Sequence, residues 1–192
     1  MAEVPELSGR IVMVTGATRG IGRETALAFG RAGCRLVIVG RSTAAAPHRM
    51  LPGTLEEVVA TLRATDVEVL PVEADLATLA GIQDVTDRTV ERYGGCDILI
   101  NNAAYSTNFG ETLSTPVARW NTAWKVNLLA PLMLCQHLVP RMIEQGYGRV
   151  VNISSGASVS HVPGQAPYGA TKAALEHLTT AIAADYPNSP GG

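Results

Sequence analysis

The chain has 192 residues, 46% hydrophobic and 17% charged, enough apolar sequence to fill the core of one globular domain. A net charge of -2 gives no hint of attraction to nucleic acid or to an anionic membrane, and the opening "MAEVPELSGR" lacks the apolar run of a signal peptide. No uninterrupted apolar stretch approaches the length that crosses a bilayer. Cys34, Cys96 and Cys135 are odd in number and scattered, which points to core thiols of a cytoplasmic protein and to no metal site.

Short apolar runs then alternate with helical patterns. "IVMVTG" (11–16) reads as a buried strand, followed by the helix "GIGRETALAFGRAG" (20–33). "RLVIVG" (35–40) is a second strand, "LEEVVATLRA" (55–64) a helix and "VEVLPVEAD" (67–75) a third strand. "IQDVTDRTVERYG" (82–94) is helical, "DILINNAA" (97–104) a fourth strand, and a long helical region covers 116–145. "RVVNISS" (149–155) is a fifth strand, and a helix over 166–186 closes the series. Val/Ile-rich strands buried on both faces and alternating with helices predict an α/β, doubly wound parallel sheet as a single domain over 1–192. Ligands of such sheets gather at the carboxyl ends of the strands.

Each motif falls at such an end. In "TGATRGIG" (15–22), Gly16 permits the tight turn, Gly20 lets the backbone approach a pyrophosphate, and Gly22 allows helix and sheet to pack closely. The amino terminus of the following helix offers free N–H groups to phosphate. The second strand ends "VGRS", with Gly40 where an NAD-binding protein carries an acid for the ribose. Arg41 follows it and Arg19 lies inside the glycine loop, a pair suited to a 2′-phosphate, so NADP(H) is expected over NAD(H). Asp75, in "EADLAT", either accepts from the adenine amino group or caps the next helix. In "NNAA" (101–104) two amides need partners after a buried run, so at least one is expected to tie neighbouring strands together.

The catalytic chemistry lies in "PYGATKAALEHL" (167–178). Lys172 is one of two lysines in the chain, the other being Lys125, and it stands four residues after Tyr168. On a helix the two project side by side. A phenol titrates near ~10, and an adjacent ammonium lowers that value toward the range of acid–base catalysis. Gly169 and Ala170 are expected to leave room for a bulky cofactor, and Pro167 suits the first helical turn. Ser154 and Ser155 end the fifth strand, where a hydroxyl can hold a substrate carbonyl oxygen. Pro131 has no N–H for the carbonyl of Asn127, which suggests a kinked helix with a water site.

With "TGATRGIG", "NNAA", "NISS" and "YGATK" in this order, the whole chain resembles the short-chain dehydrogenase/reductase family. The resemblance implies Tyr168 as general acid/base and Lys172 as the residue that tunes it and binds the nicotinamide ribose. It implies Ser155, thirteen residues before the tyrosine, as the catalytic serine, and Asn127 as the holder of a proton-relay water. It extends the cofactor-contacting set to Thr15, Ile21, Leu76, Asn102 and Ala103. The activity implied is NADP(H)-dependent interconversion of a secondary alcohol and a ketone or aldehyde. The implied partners are a small-molecule carbonyl or alcohol and other copies of the chain, in a homodimer or homotetramer formed through the helices at 116–145 and 166–186.

Three features depart from the family pattern. Ala104 stands where the family carries glycine, adding a methyl group to the cofactor channel. "RSTAAAPHRMLPGTLEE" (41–57) is longer than the usual turn and resembles an insertion of hydroxysteroid-dehydrogenase-like members. After "AIAADYPNSPGG" the family continues with a strand, a Pro-Gly motif at the nicotinamide, a substrate-covering loop and a last strand. The expectation is therefore a shortened chain with a solvated, flexible tail at 186–192, and a nucleotide-binding protein with impaired catalysis is the alternative function. Methyl transfer from S-adenosylmethionine uses a related sheet but leaves the Tyr–Lys pair without a role. "STNFG" (106–110) and "SVSHVPGQ" (158–165) are expected at the pocket, with His161 as a polar contact.

Overall fold

The predicted strands form one parallel sheet in the computed structural model, which describes residues 7–48, 51–106 and 110–186. Strands β1 (Ile11–Thr15), β2 (Arg35–Gly40), β3 (Val69–Glu73), β4 (Ile98–Asn101) and β5 (Arg149–Asn152) lie in the order β3-β2-β1-β4-β5. Helices α1 (Gly20–Arg31), α2 (Leu55–Arg63), α3 (Leu79–Tyr93), α4 (Val117–Trp124), α5 (Ala130–Glu144) and α6 (Ala166–Asp185) connect or follow them. The chain winds outward from β1 through β2 to β3, then returns to the other side of β1 as β4. The reversal of direction falls between β1 and β4, and their carboxyl ends open a crevice there.

The period of two along β1 divides the core into two layers. Met13 joins Val37, Leu99, Leu134 and Leu138 on the face covered by α3 and α5. Val12 and Val14 join Leu36, Ile38, Val58 and Leu62 on the face covered by α1 and α2. Cys34, Cys96 and Cys135 are buried free thiols, as the scattered spacing implied.

Local chemistry sets several element ends. Thr54 and Glu57 form a reciprocal capping box at α2, and Thr78 caps α3 by accepting from Gly81 N–H. Helix α3 thus starts three residues before the predicted position, and Thr78, not Asp75, is its cap. β4 stops at Asn101 and β5 at Asn152, three residues short of expectation in each case. The asparagine amides there take partners across the sheet, and the chain leaves the ladder. The kink predicted at Pro131 takes the form of a π-helical turn, Lys125–Leu129, between α4 and α5.

That turn keeps 117–144 continuous. By length and mean hydropathy, 1.2, this run could span a bilayer, although polar residues such as Arg119, Lys125 and Asn127 interrupt it. In the fold its apolar residues instead meet α3, α6 and β5. β5 is the least covered strand: residues alternate between exposed and half-buried, and Val151 is 43% exposed.

Candidate active site

Where β1 meets α1 the glycine loop is close-packed. Gly16 has φ +66°, and a Cβ there would lie 2.8 Å from the Ala103 Cα. A Cβ on Gly22 would lie 2.3 Å from the Gly16 carbonyl oxygen and 2.4 Å from the Asn102 amide nitrogen. Gly20, at φ +53°, faces open space, so its backbone is accessible. No side chain caps the amino terminus of α1, which leaves its first N–H groups for an anion.

Asn102 secures the loop. Its Nδ2 donates to the carbonyls of Thr15 (2.9 Å) and Gly16 (3.1 Å), while its own N–H donates to Thr15 Oγ1 at 3.0 Å. Asn101 Nδ2 donates to Asn152 Oδ1 at 2.8 Å, and Asn152 Nδ2 donates to Thr179 Oγ1 at 2.9 Å. Both asparagines therefore cross-link strands, one toward β1 and one toward β5 and α6. Thr15, expected to touch a cofactor, is 1% exposed and holds Asn102 and Ala103 from behind.

The crevice is a cavity of about 440 Å³. Of the candidate cofactor residues, Gly16, Arg19, Ile21, Arg41, Asp75, Leu76, Asn102, Ala103, Tyr168 and Lys172 line it, whereas Thr15, Gly20 and Gly22 do not. Ala104 also lines it. Arg41 and Asp75 form a half-exposed ion pair at 3.8 Å. Asp75 Oδ1 also accepts from Ala77 N–H at 3.0 Å, a turn contact in place of the predicted cap.

At the opposite end, helix geometry aligns Tyr168, Lys172 and Glu176 along one stripe of α6. Lys172 is 2% exposed, an unusual burial for an ammonium, and its Nζ donates to the Ile153 carbonyl at 2.5 Å. Burial pushes its pKa down to about 8. Nζ lies 5.7 Å from the centre of the Tyr168 ring. The single lysine of α6 is thus placed between the phenol and the carboxyl end of β5.

The serines are arranged differently from the prediction. Ser155 caps a short 3-10 turn, Gly156–Ser158, accepting from Ala157 N–H at 3.2 Å, and it does not line the cavity. Ser154 lines the cavity and donates to Glu176 Oε1. The Ser154 and Ser158 hydroxyls hold the Glu176 carboxyl below its ordinary range. Glu176 was absent from the sequence reading, although its spacing of four from Lys172 was the available signal. Gly169 serves packing and not the cofactor: a Cβ there would lie 2.5 Å from the Ala157 carbonyl oxygen. Ala170 is exposed and lies outside the cavity.

Asn127 is fully buried behind the site. Its Oδ1 accepts from Tyr105 N–H at 2.7 Å, and its Nδ2 donates to the Tyr105 carbonyl (3.1 Å) and Thr171 Oγ1 (3.0 Å). The side chain thereby joins the segment after β4 to α6. The expected pocket segment 106–110 falls largely on 107–109, outside the described residues, although Ser106 lines the cavity. His161 is exposed and does not line it.

This arrangement has close parallels. The sequence pattern of the family described as short chain dehydrogenase matches residues 10–189. The chain belongs to the short-chain dehydrogenase family. It is 34% identical over 183 residues to 2-(R)-hydroxypropyl-CoM dehydrogenase of Xanthobacter autotrophicus, covering 94% of this chain and 70% of that one. It is 32% identical over 149 residues to hydroxysteroid dehydrogenase-like protein 2 of Danio rerio, covering 78% of this chain and 35% of that one. A metagenomic short-chain oxidoreductase solved in complex with NADP superposes with a TM-score of 0.87 at 31% identity, covering 96% of this chain and 80% of that one. The chain spans 35% to 70% of the length of these two curated relatives.

Proposed function

We propose that this short-chain dehydrogenase domain interconverts a secondary alcohol and a ketone or aldehyde with NADP(H). One observation carries the reading: a buried ammonium lies beside a phenol at one end of a cavity whose other end presents two guanidinium groups. The residues present fit the cofactor. Gly20 faces open space, α1 offers uncapped N–H groups for a pyrophosphate, and Arg19 and Arg41 supply charge for a 2′-phosphate. When bound, NADP(H) supplies or accepts the hydride. A relative named for NADP in its solved complex supports the cofactor, and one named for a 2-hydroxypropyl group, a secondary alcohol, supports the substrate class.

In the reductive direction Tyr168 would donate its hydroxyl proton to the substrate oxygen. Lys172, anchored to the Ile153 carbonyl, places positive charge near the phenolate this leaves. Asn127 holds the Tyr105 backbone against α6 and so keeps the walls of the site in register. Ser155 would orient the substrate oxygen after its hydroxyl exchanges the Ala157 N–H for the ligand. Assembly into a dimer or tetramer through α4, α5 and α6 belongs to the same proposal, and light scattering tests it.

One observation favours a second reading, nucleotide binding without useful turnover: the Ser155 hydroxyl caps its own turn, accepting from Ala157 N–H at 3.2 Å. Fluorescence titration with NADPH, beside a reduction assay over a panel of ketones and aldehydes, separates the two. Binding with turnover that is lost in Tyr168→Phe supports catalysis. Binding with no turnover on any substrate supports the second reading.

A further inference from the structure

Helix α6 grips the end of β5 at successive residues. Asn152 Nδ2 donates to Thr179 Oγ1 at 2.9 Å, and Lys172 Nζ donates to the Ile153 carbonyl at 2.5 Å. The Ser154 hydroxyl then donates to the Glu176 carboxylate. Lys172 and Glu176 stand four residues apart on α6, so one face of the helix holds both Ile153 and Ser154. These two residues line the cavity together with Tyr168 and Lys172, whereas Glu176 does not.

The direction of the Ser154 hydrogen bond decides what that side chain offers. A hydroxyl has one proton and two lone pairs. Glu176 is exposed, and the Ser154 and Ser158 hydroxyls hold its carboxyl below the ordinary range. At neutral pH it is therefore a carboxylate, which only accepts. The Ser154 proton is committed to a group outside the cavity, and among the described residues nothing donates to the Ser154 oxygen. Toward the cavity Ser154 thus presents an acceptor. Tyr168 brings a phenolic donor to the same cavity, so the ligand that answers both is a carbonyl compound with a hydroxyl beside the carbonyl.

We propose that Ser154 is a specificity-determining residue that accepts a hydrogen bond from a hydroxyl next to the substrate carbonyl, and that Glu176 is a positioning residue that keeps the Ser154 proton out of the cavity. This rests on the reading of Tyr168 as proton donor to a carbonyl oxygen. Lys172 is the other charged group at this end, and its ammonium is anchored on the Ile153 carbonyl.

The test compares two ketones that differ only by a hydroxyl in place of a methyl group, 1-hydroxy-2-butanone and 3-pentanone. The ratio of their kcat/KM values is internal to each variant, so a loss of folded protein leaves it unmoved. Ser154→Ala should lower the ratio about threefold to tenfold, through the KM of the hydroxyketone. Glu176→Ala should lower it in the same direction, because the released proton is free to turn into the cavity. Glu176→Gln keeps an oxygen that accepts from Ser154 and should restore the wild-type ratio. A ratio that Ser154→Ala leaves unmoved overturns the proposal, as does failure of Glu176→Gln to restore it. Fluorescence titration with NADPH supplies the second arm: weaker cofactor binding in Ser154→Ala at an unmoved ratio assigns the acceptor to the cofactor and also overturns the proposal. A wild type that binds NADPH and reduces neither ketone, nor any other carbonyl compound, overturns the catalytic reading itself, an outcome distinct from a flat ratio.

Discussion

The nucleotide end and the α6 end of the cavity are built by different means. At the nucleotide end, backbone atoms approach so closely that side chains are excluded: Gly16 and Gly22 leave no room for a Cβ, and one amide, that of Asn102, holds two carbonyls of β1 and its turn. At the α6 end, long side chains do the positioning. Lys172 reaches the Ile153 carbonyl, Glu176 reaches Ser154, and β5 beneath them is half-open to solvent. Stability and cofactor affinity should therefore share their determinants at the first end. At the second they should separate, because a reacting group can be removed without disturbing the packing.

Tyr168→Phe is the sharpest break of that contrast. It removes the hydroxyl proposed as proton donor and keeps the ring, so turnover should fall by about 10²–10⁴-fold while NADPH affinity and melting temperature stay unchanged. An equal loss of affinity would mean that the two ends are not separable. Gly22→Ala should do the reverse, because the added methyl meets the Gly16 carbonyl and the Asn102 amide. A stability loss of about 3 kcal/mol, roughly 9 °C in Tm, together with lost cofactor binding is expected, checked by calorimetry and titration. Asn102→Ala leaves two carbonyls without their amide donor and should cost about 2 kcal/mol, with weaker binding in parallel.

The smallest effect is a pH dependence. Burial holds the Lys172 pKa at about 8, below its ordinary 10.5, so between these values the unfolded chain binds more protons than the folded one. Stability from this group is therefore lowest below pH 8 and rises as pH increases from 8 toward 10.5. The Tm difference between wild type and Lys172→Met should change in favour of the wild type across that window, by on the order of 4 °C. A constant difference would mean that the ammonium is not buried.

The strand and helix order was legible because each element carries its own period. Val/Ile runs such as "RLVIVG" need both faces covered, and i, i+4 spacing places Tyr168 and Lys172 together in any helix. The two arginines at the cavity and the strand-tying asparagines were also legible, since their chemistry demands partners of a particular kind. Ser155 was less so. The family resemblance singled it out over Ser154, but whether its hydroxyl faces a ligand or caps its own turn depends on the segment after β5. Gly169 misled for a related reason. A glycine signals a close approach without saying to what, and here the neighbour is the Ala157 carbonyl.

By itself the sequence determined a parallel sheet, a phosphate-compatible turn at the end of its first strand, and a phenol with an ammonium on one helical face. These follow from periodicity and covalent structure over a few residues. Only the tertiary structure decided that Lys172 would be buried against Ile153, that Asn102 would lock a loop 86 residues away, and that the insertion would bring His48 to the cavity wall. Such pairings join groups remote in the chain, and which of many possible partners a polar atom meets depends on how the sheet is wound.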